Sequence, residues 1–470
     1  MSSKLFVYSF LLMISLTTSK TTDEWKSRTI YQVLTDRFAK GNGDASPCGN
    51  LSGYCGGNYR GLINNLDYIA NLGFDAIWIS PIVDNVDGGY HGYWARNWYD
   101  VNGNFGSKQD LKDFVKACHD RGIWVMVDIV VNHVGPVGDN YSSIYPFNSP
   151  DHYHSYCIID SGDFDGHNQW KVENCRLAGL PDLNQSNAWV RKELLDWVAY
   201  IRDEYSIDGF RLDTACEVEK SFWDELSARA GTYIVGEVFS GNVGYVADYQ
   251  NHLPGLLNYP MYFTLKSVFK DSNSMYEIKN RIQNDLSQFR DIDALGMFVD
   301  NHDNARFLNN DGRHNRFKSA LVFSFFFRGI SIVYYGSEQG FGGGNDPNNR
   351  EQLWTNLDQG SEMYKFVQAG VQARKRTQVW SHPQEEKWVD DNFYAFQRGS
   401  LFIATTNRDD QQTRSIPVTW SEGTKLCNIF NNSDCLNVSG GRLNVTLVNA
   451  EPKVYEAQNG HKMLNKEELL

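Results

Sequence analysis

The sequence predicts an α/β fold: a (β/α)8 TIM barrel with a small domain inserted after the third strand and a C-terminal antiparallel β-sandwich domain. Short β-branched runs alternate with amphipathic helical stretches from about residue 27 to 385, as in repeated βα units around a parallel sheet. The excursion over 133–182 is rich in Gly, Asp, Asn and His and is much longer than an ordinary βα loop. After about residue 385 apolar residues alternate between turn residues, without a helical period.

Eight strand-like runs support the barrel. They lie near 29–34, 75–80, 123–131, 208–213, 232–237, 256–262, 296–301 and 330–335. In a closed barrel of parallel strands, the loops after the carboxyl ends of the strands carry the active site. Polar residues at these strand ends are therefore the first candidates for function.

The changes in pattern predict the domain boundaries. They give a leader at 1–19, the first part of the barrel at 20–132, an inserted domain at 133–182, the second part of the barrel at 183–385 and a C-terminal β domain at 386–470. A chain of 470 residues is long enough for several such units.

The leader has the composition of a secretory signal peptide. Lys4 precedes an apolar run over 5–16 that is too short to span a bilayer, and small polar residues follow it. Cleavage after Ser19, with Thr17 at the −3 position, fits the small-residue rule. A membrane anchor is the alternative. We expect a protein that is secreted, either outside the cell or into a lysosomal or vacuolar lumen, without a membrane association after the leader is removed.

Cysteines and sequons agree with secretion. Of the eight cysteines, three pairs close in sequence are expected to form disulfides: Cys48–Cys55, Cys157–Cys175 and Cys427–Cys435. Cys118 lies on the apolar stripe of a predicted helix and should be a buried thiol, which leaves Cys216 unpaired. Six N-glycosylation sequons occur, at Asn50, Asn140, Asn184, Asn431, Asn437 and Asn444.

The charge balance excludes one class of partner. The chain has 44 basic and 57 acidic side chains, for a net charge of −13. This balance repels nucleic acid and anionic lipid and favours neutral or cationic ligands. Aromatic residues make up 14% of the chain, and some of them can form stacking surfaces for sugars.

Four predicted strands end in polar residues. Asp128 lies within the end of the third strand and Asn132–His133 follow it. Arg211 and Asp213 end the fourth, Glu237 ends the fifth, and the seventh runs into a polar group at 300–304 that includes Asp303. Each motif alone also has a structural explanation, as a strand-end cap or an ion pair. The convergence of Asp213, Glu237 and Asp303 at one end of a barrel favours a shared pocket.

The residue types at these positions predict retaining glycoside hydrolysis. Arg211 favours the ionised form of Asp213, as a nucleophile needs, whereas an apolar environment without a cation would raise the pKa of Glu237, as a general acid needs. Retaining glycosidases place two such carboxyl groups about 5 to 5.5 Å apart. We expect Asp303 to hold sugar hydroxyls and to support positive charge in the transition state.

Further motifs make the sequence resemble the α-amylase family, and within it the fungal-type, calcium-binding, secreted enzymes. They are the Tyr-His-Gly-Tyr-Trp run at 90–94, the Cys157–Cys175 loop with Glu173, Leu-Pro-Asp-Leu at 180–183, and the Gly-rich stretch at 343–351. The resemblance spans roughly residues 26 to 380. It implies that starch, glycogen and malto-oligosaccharides are the substrates, and we expect a monomer.

The resemblance also implies roles for individual residues. Tyr93 would stack under the sugar next to the scissile bond with Trp94 nearby, and Asp346 and Arg350 would hold the next sugar outward. The remaining substrate-binding residues would be His91, His133, Arg211, Gly241 and His302.

A Ca²⁺ between the inserted domain and the barrel is implied in the same way. Its ligands would be Asn132, Asp182, the backbone carbonyl of Glu173 and a carbonyl after Asp213, supplied by Glu217. Such oxygen ligands fit calcium chemistry. Zinc at His152, His154 and Cys157 is the competing possibility, which a Cys157–Cys175 disulfide would remove.

The sequence departs from the family at Cys216-Glu217, where a Lys-His pair is usual. That pair contacts the leaving-group side of the substrate, so product length or transglycosylation is expected to change here. The function predicted is a secreted, calcium-dependent, retaining endo-hydrolase of α-1,4-glucans (an α-amylase). The alternatives are an exo-acting α-glucosidase or α-glucan transferase of the same family, and a catalytically silent binding protein, against which the intact Asp213, Glu237 and Asp303 argue.

Overall fold

The computed structural model describes residues 20–458, so the predicted signal peptide and the end of the C-terminal tail lie outside it. The strands are β1 (Thr29–Gln32), β2 (Ala76–Ile79), β3 (Val83–Asn85), β4 (Ala95–Val101), β5 (Trp124–Ile129), β6 (Gly209–Leu212), β7 (Tyr233–Gly236), β8 (Gly255–Leu256), β9 (Gly296–Met297), β10 (Ile330–Tyr334), β11 (Gln384–Val389), β12 (Phe393–Arg398), β13 (Leu401–Thr406), β14 (Gln412–Pro417), β15 (Lys425–Asn428), β16 (Asn431–Asn437), β17 (Arg442–Leu447) and β18 (Lys453–Ala457).

Helices connect the barrel strands and pack around them. They are α1 (Thr22–Trp25), α2 (Thr35–Phe38), α3 (Tyr59–Asn64), α4 (Leu66–Leu72), α5 (Lys108–His119), α6 (Gln169–Asn174), α7 (Ala188–Tyr205), α8 (Lys220–Ala230), α9 (Val243–Tyr249), α10 (Tyr259–Leu265), α11 (Tyr276–Gln288), α12 (His314–Phe326) and α13 (Glu362–Thr377). Short 3-10 turns lie in the loops, and one of them, Ala215–Glu217, lies in the loop after β6.

The barrel has the predicted eight parallel strands. Their order is β8-β7-β6-β5-β2-β1-β10-β9, and a parallel bridge between Leu257 and Gly296 joins the two ends of the sheet. Because successive parallel strands pair around this ring, the loops after β5, β6, β7 and β9 meet at one rim. The fold class predicted from the sequence is confirmed.

The predicted sixth strand is wrong over most of its length. Only Gly255–Leu256 is a strand, and the residues from Tyr259 onward form α10. The side chain of Asn258 accepts a hydrogen bond from the backbone N–H of Met261, and Pro260 lies in the first turn. An Asn cap followed by Pro starts a helix, and this local signal outweighs the apolar run that predicted a strand.

Large side chains fill the barrel rather than leaving a pore. Its interior cluster includes Trp25, Trp78, Trp124, Met126 and Tyr233, all buried. At the amino end of the strands Trp25 is fully buried and donates from Nε1 to the carbonyl of Asp208 at 3.1 Å. The backbone of Gly209 lies so close that an added Cβ would stand 2.6 Å from the Trp25 ring, so glycine is required there.

The segment between β5 and α7 has little regular structure. It contains α6 and several 3-10 turns, and the Cys157–Cys175 disulfide closes the loop around a small apolar cluster with Ile159 and Val172. The other two predicted disulfides, Cys48–Cys55 and Cys427–Cys435, are also present, and Cys118 and Cys216 are buried free thiols. Because Cys157 is paired, the alternative zinc site is excluded.

The C-terminal domain is antiparallel, as predicted. One sheet has the order β11-β12-β13-β18-β15-β16, and β14 pairs with β17 in a second sheet. Side chains from both sheets form a separate core, with Phe393, Phe402, Trp420, Leu443 and Tyr455 buried between them. Over residues 20–458 no helix is both long and apolar enough to cross a membrane.

Candidate active site

A cleft of about 770 Å³ opens at the rim formed by the carboxyl ends of the barrel strands. It collects nearly all the predicted catalytic and substrate-binding residues. Those that line it are His91, Tyr93, Trp94, His133, Asp213, Glu237, Gly241, His302, Asp303, Asp346 and Arg350. Arg211 lies beneath this surface with no exposed area.

The guanidinium of Arg211 is the centre of the site. Its Nη1 donates to Asp213 Oδ1 at 2.7 Å and to Asp128 Oδ1 at 3.0 Å, and Nη2 lies 2.7 Å from Glu237 Oε2. The registers of β5, β6 and β7 place the residues in this way, because Asp128 pairs with Arg211 and Arg211 with Val235. One cation therefore contacts carboxyl groups from three strand ends.

The environment of Glu237 differs from the sequence prediction. We expected no cation near it, but Arg211 is in contact, because strand pairing brings β6 beside β7. The pKa of Glu237 is nevertheless raised well above its ordinary value, chiefly by burial and further by the charges of Asp213 and Asp303, which together outweigh Arg211. The predicted direction of the pKa shift of Glu237 is therefore confirmed, whereas the prediction that no cation lies near Glu237 is wrong.

One hydrogen bond fixes the Glu237 carboxyl from the other side, and a second holds the donor of the first. Tyr259 Oη donates to Glu237 Oε1 at 3.1 Å, and Asn301 Nδ2 donates to Tyr259 Oη at 2.8 Å. Neither residue was among the predicted site residues. Tyr259 was hidden in the run assigned to the sixth strand, whereas Asn301 could have been chosen because it lies in the polar group that follows the seventh strand.

Asp128 is a further residue of the site, although it was not among the predicted catalytic, substrate-binding or metal-binding residues. It is buried and accepts hydrogen bonds from Trp78 Nε1 at 3.1 Å and Tyr93 Oη at 2.8 Å, besides its contact with Arg211. Burial, with the nearby charge of Asp213, raises the pKa of Asp128 to about 7 against the opposing effect of Arg211. An acidic residue inside an otherwise apolar strand was the signal in the sequence.

His302 connects the first strand to this network. Gln32 Nε2 donates to His302 Nδ1 at 2.9 Å, so the proton of the neutral ring is on Nε2, which lies 2.7 Å from Tyr93 Oη. Burial and the charges of Arg211 and Arg350 lower the pKa of His302 well below its usual value. The rings of Tyr93 and His302 are parallel to within 2° and meet edge to edge through the Oη–Nε2 hydrogen bond, with their centroids 5.4 Å apart.

Arg350 organises the end of the cleft that lies away from Glu237. Its Nη1 lies 3.0 Å from Asp346 Oδ1 and donates to Tyr90 Oη at 3.0 Å, while Nε donates to the carbonyl of His302 at 3.0 Å. Burial, with the charge of Arg350, lowers the pKa of His91 to about 3. This end therefore offers a fixed cation, an exposed carboxylate and neutral imidazoles to a polar ligand.

Three of the four predicted metal ligands, Asn132, Asp182 and the carbonyl of Glu217, meet where the inserted segment touches the barrel. One atom of the Asn132 side-chain amide lies 3.0 Å from both Asp182 Oδ1 and the carbonyl oxygen of Glu217, and the other lies 3.2 Å from His133 Nδ1. Glu173 is in the last turn of α6, where carbonyl groups lack intrahelical partners. The same α6 is tied to the loop after β6, because Gln169 Nε2 donates to the carbonyl of Cys216 at 3.0 Å.

The orientation of the Asn132 amide indicates whether the space between Asn132, Asp182 and Glu217 suits a cation. His133 Nε2 lies 3.2 Å from the carbonyl oxygen of Tyr93, which can only accept, so a neutral His133 carries its proton on Nε2. Its Nδ1 then accepts from the Asn132 nitrogen, and the Asn132 oxygen must face the oxygens of Asp182 and Glu217. Three converging oxygens repel one another unless a cation lies between them, and oxygen donors of this kind suit Ca²⁺.

The Cys216-Glu217 pair also faces the cleft. The thiol of Cys216 donates to Glu217 Oε2 at 3.1 Å, and both side chains are buried. Burial raises the pKa of the Cys216 thiol well above its usual value, which keeps the thiol protonated. The two side chains therefore form a hydrogen bond with each other. The Lys-His pair expected from the family resemblance would instead present an ammonium and an imidazole group to the ligand.

Comparisons with known proteins agree with this geometry. The family model described as alpha amylase, catalytic domain, matches residues 32–415. The alpha-amylase of Saccharomycopsis fibuligera is 37% identical over 92% of this chain and 92% of its own length, whereas the beta/alpha-amylase of Paenibacillus polymyxa is 38% identical over 94% of this chain but only 38% of its own length. The solved structure of an alpha-amylase from Malbranchea cinnamomea superposes with a TM-score of 0.89 at 37% identity, covering 93% of this chain and 97% of that one.

Proposed function

The chain belongs to the α-amylase family, and we propose that it is a retaining endo-hydrolase of the α-1,4-glucosidic bonds of starch or glycogen. The observation that carries the mechanism is the buried guanidinium of Arg211, which contacts Asp213 through one nitrogen and Glu237 through the other within a single cleft. Two carboxyl groups that share a cation in this way face the same bound sugar. Their separation of about 5 to 5.5 Å stays a prediction.

In the first step Asp213, whose Oδ1 accepts a hydrogen bond from Arg211 Nη1 at 2.7 Å, attacks the anomeric carbon. Glu237 is protonated because burial and neighbouring carboxylates raise its pKa, and it gives its proton to the departing oxygen. Asp303, whose side chain is 32% exposed to the cleft, holds the sugar hydroxyls. The products are a glycosyl ester on Asp213 and a released saccharide.

In the second step Glu237, now a carboxylate, takes a proton from water, which attacks the anomeric carbon and frees Asp213. The charge of Asp213 favours this change of Glu237 from acid to base. When Asp213 becomes a neutral ester, the negative charge that helped to keep Glu237 protonated is lost, so the pKa of Glu237 falls. Two displacements at one carbon retain the anomeric configuration.

A Ca²⁺ site formed by Asn132, Asp182 and the carbonyls of Glu173 and Glu217 completes the proposal. The cation would supply a fixed positive charge that ties the inserted segment to the loops after β5 and β6. The convergence of oxygens at Asn132 supports it. Three disulfides and six sequons support a secreted glycoprotein.

The alternative is an exo-acting α-glucosidase or α-glucan transferase. It rests on Cys216 and Glu217, which pair with each other instead of offering Lys and His to the leaving group. The double variant Cys216→Lys, Glu217→His should lengthen the products or change the extent of transfer. Identical product ladders from this variant and the unmodified enzyme would contradict a role for the pair.

A time course with reducing-end-labelled maltoheptaose, with and without a calcium chelator, tests the proposal. Endo cleavage gives labelled products of intermediate length at the earliest times, whereas exo cleavage from the non-reducing end shortens the labelled chain one unit at a time. The new reducing ends, followed by NMR, should appear first as the α-anomer. Chelation should reduce the rate.

The variant Glu237→Gln should lose about 10²- to 10⁴-fold in turnover, because the amide cannot give up a proton to the leaving oxygen. Its affinity for malto-oligosaccharide, measured by calorimetry, should remain. Full turnover in this variant would show that the acid lies elsewhere.

A further inference from the structure

Trp189, the second residue of α7, presents an aromatic ring to solvent in a fixed orientation. Its side chain is 45% exposed, yet the imidazole of His152 in the inserted segment stacks on it, with ring centres 4.4 Å apart at 15°. The ring of Phe147 meets it edge-on at 6.0 Å and 79°. Because His152 covers one face of Trp189, the exposed area is on the opposite face and the edges. A ring fixed in advance loses little conformational freedom on contact, so this face is suited to a ligand that packs flat on it.

The imidazole of this stack is also fixed, and it is uncharged. The backbone N–H of Ser149 donates to His152 Nδ1 at 3.3 Å, and partial burial lowers the pKa of His152 below its ordinary value. The Trp189–His152 stack is therefore neutral at neutral pH, and it joins the inserted segment to the start of α7. A neutral aromatic surface suits the C–H face of a sugar ring better than it suits a charged ligand.

One of the six N-glycosylation sequons lies just before α7, next to this stack. The backbone N–H of Asn184 donates to the carbonyl of His152 at 2.9 Å, so the asparagine lies beside the residue that carries the imidazole. Gln185 is buried and donates from Nε2 to the carbonyl of Val131 at 2.8 Å, whereas Asn184 is partly exposed and Ser186 is exposed. The sequon is therefore anchored through its middle residue, with its asparagine at the surface.

The side chain of Asn184 is directed toward α7. Its Oδ1 accepts a hydrogen bond from the backbone N–H of Ser186 at 3.0 Å, and its carbonyl accepts from the N–H of Asn187 at 3.0 Å, so the chain turns here. Asn187 then caps α7, because its Oδ1 accepts from the N–H of Trp189 at 2.9 Å. These consecutive hydrogen bonds bring the amide of Asn184 toward Trp189, so a sugar attached to that amide begins beside the stack.

We propose that Asn184 carries an N-linked glycan whose first sugars pack on the open face of Trp189 and cover the junction between the inserted segment and α7. The inference rests on the proposed secretion of the chain. The sugar donor is a lipid-diphosphate oligosaccharide. A bond forms between Asn184 Nδ2 and the anomeric carbon of the first sugar, an N-acetylglucosamine, and the bond from that carbon to the diphosphate oxygen breaks. The lipid diphosphate and one amide proton leave.

The test uses the full-length chain secreted from a eukaryotic host that attaches N-glycans. Glycopeptide mass spectrometry gives the occupancy of each sequon, and the rate at which peptide-N-glycosidase releases each glycan from the folded protein reports how far the protein shields it. The variants are Trp189→Ala and Trp189→Phe, with Trp170→Ala as the control at an exposed tryptophan of α6. Starch hydrolysis is measured on the same samples, and it should not change, because Trp189 does not line the cleft.

Asn184 should be occupied, and Trp189→Ala should speed the release of its glycan about two- to tenfold, as expected for the loss of one stacked ring. Trp189→Phe should give a smaller acceleration, and it decides the question if Trp189→Ala is not secreted. The control variant, and the other occupied sequons, should show no change.

An unoccupied Asn184 beside other occupied sequons, or a release rate at Asn184 that is unchanged in both Trp189 variants, would overturn the inference. A secreted chain without a glycan at any sequon would overturn the proposed glycoprotein as well. A shielded glycan at Asn184 in a protein that does not hydrolyse starch would count against the proposed hydrolase alone.

Discussion

At the scale of single residues, the site holds more carboxyl groups than cations. Asp128, Asp213 and Glu237 all contact the guanidinium of Arg211, which supplies one positive charge to three carboxyl groups. In a buried cluster the three cannot all be ionised at low cost, because like charges repel strongly where water is excluded. This repulsion contributes to the raised pKa values of Asp128 and Glu237, and it favours a protonated Glu237, as a general acid needs.

The variant Asp213→Asn tests this coupling. Removing the negative charge should lower the pKa of Glu237, since that charge favours its protonated form. The pKa can be followed by ¹³C NMR of labelled glutamate side chains, with Glu237→Gln used to assign the resonance. A pKa of Glu237 that stays the same or rises in Asp213→Asn would contradict the argument. In the intact enzyme, kcat/KM should fall as pH rises through the pKa of Glu237.

At the scale of elements, loops hold one another in position. Arg37, buried in α2, donates from Nη2 to the carbonyls of Leu51 and Gly53 in the Cys48–Cys55 loop and from Nη1 to the carbonyl of Arg350 at 2.7 Å. Its guanidinium also lies 4.1 Å from the ring centre of Tyr90. One side chain thus links a disulfide loop to the polar end of the cleft.

Replacing Arg37 by Lys should therefore weaken substrate binding. An ammonium group cannot match the planar set of donors, and lost hydrogen bonds from a charged group each cost about 1.5 to 3 kcal/mol. We expect KM for maltoheptaose to rise about tenfold, with a smaller change in kcat. The matched control is Arg60→Lys, which changes an exposed ion pair with Asp110. Equal KM values for the two variants would rule out this positioning role.

At the scale of the whole molecule, the C-terminal domain is attached to the barrel through buried groups. Arg398 of β12 donates to the carbonyl of Phe327, just beyond α12, at 2.6 Å and to the carbonyl of His382 at 2.9 Å. Within the barrel, Arg374 of α13 donates to the carbonyls of Phe325 and Gly329 at 2.9 Å and so braces the same end of α12. These contacts lie at the back of α12, away from the cleft.

The variant Arg398→Met should lower stability without changing catalysis. Several buried carbonyl groups would lose their donor, at about 1 to 3 kcal/mol for each group left unsatisfied. Thermal unfolding should occur at a lower Tm, while kcat/KM at 25 °C stays the same. Arg408→Met, at an exposed pair with Asp410, provides the control. A Tm equal to that of the control would show that the contacts contribute little.

Calcium should act on the same scale, because its proposed ligands come from the inserted segment and from two barrel loops. A ligand that binds only the folded state stabilises it by about 2.7 kcal/mol at 100 times its Kd. Addition of EGTA should therefore lower the Tm, and Ca²⁺ should restore it whereas Mg²⁺ should not. The variant Asp182→Asn should reduce the difference in Tm between the Ca²⁺-loaded and the EGTA-treated protein. A Tm that is indifferent to chelation would refute the site.

The sequence by itself determined the barrel, the C-terminal β domain, the disulfide pairs and the strand ends from which Asp213, Glu237 and Asp303 project. These features follow from periodic apolar runs and from residue types, which are local properties of the chain. Only the tertiary structure decided that α10 begins where a strand was expected, that Arg211 reaches Glu237, and that Tyr259, held by Asn301, donates to the acid. Those relations depend on strand register and on contacts between residues far apart in the sequence, where the energy of a group is set by its neighbours in space.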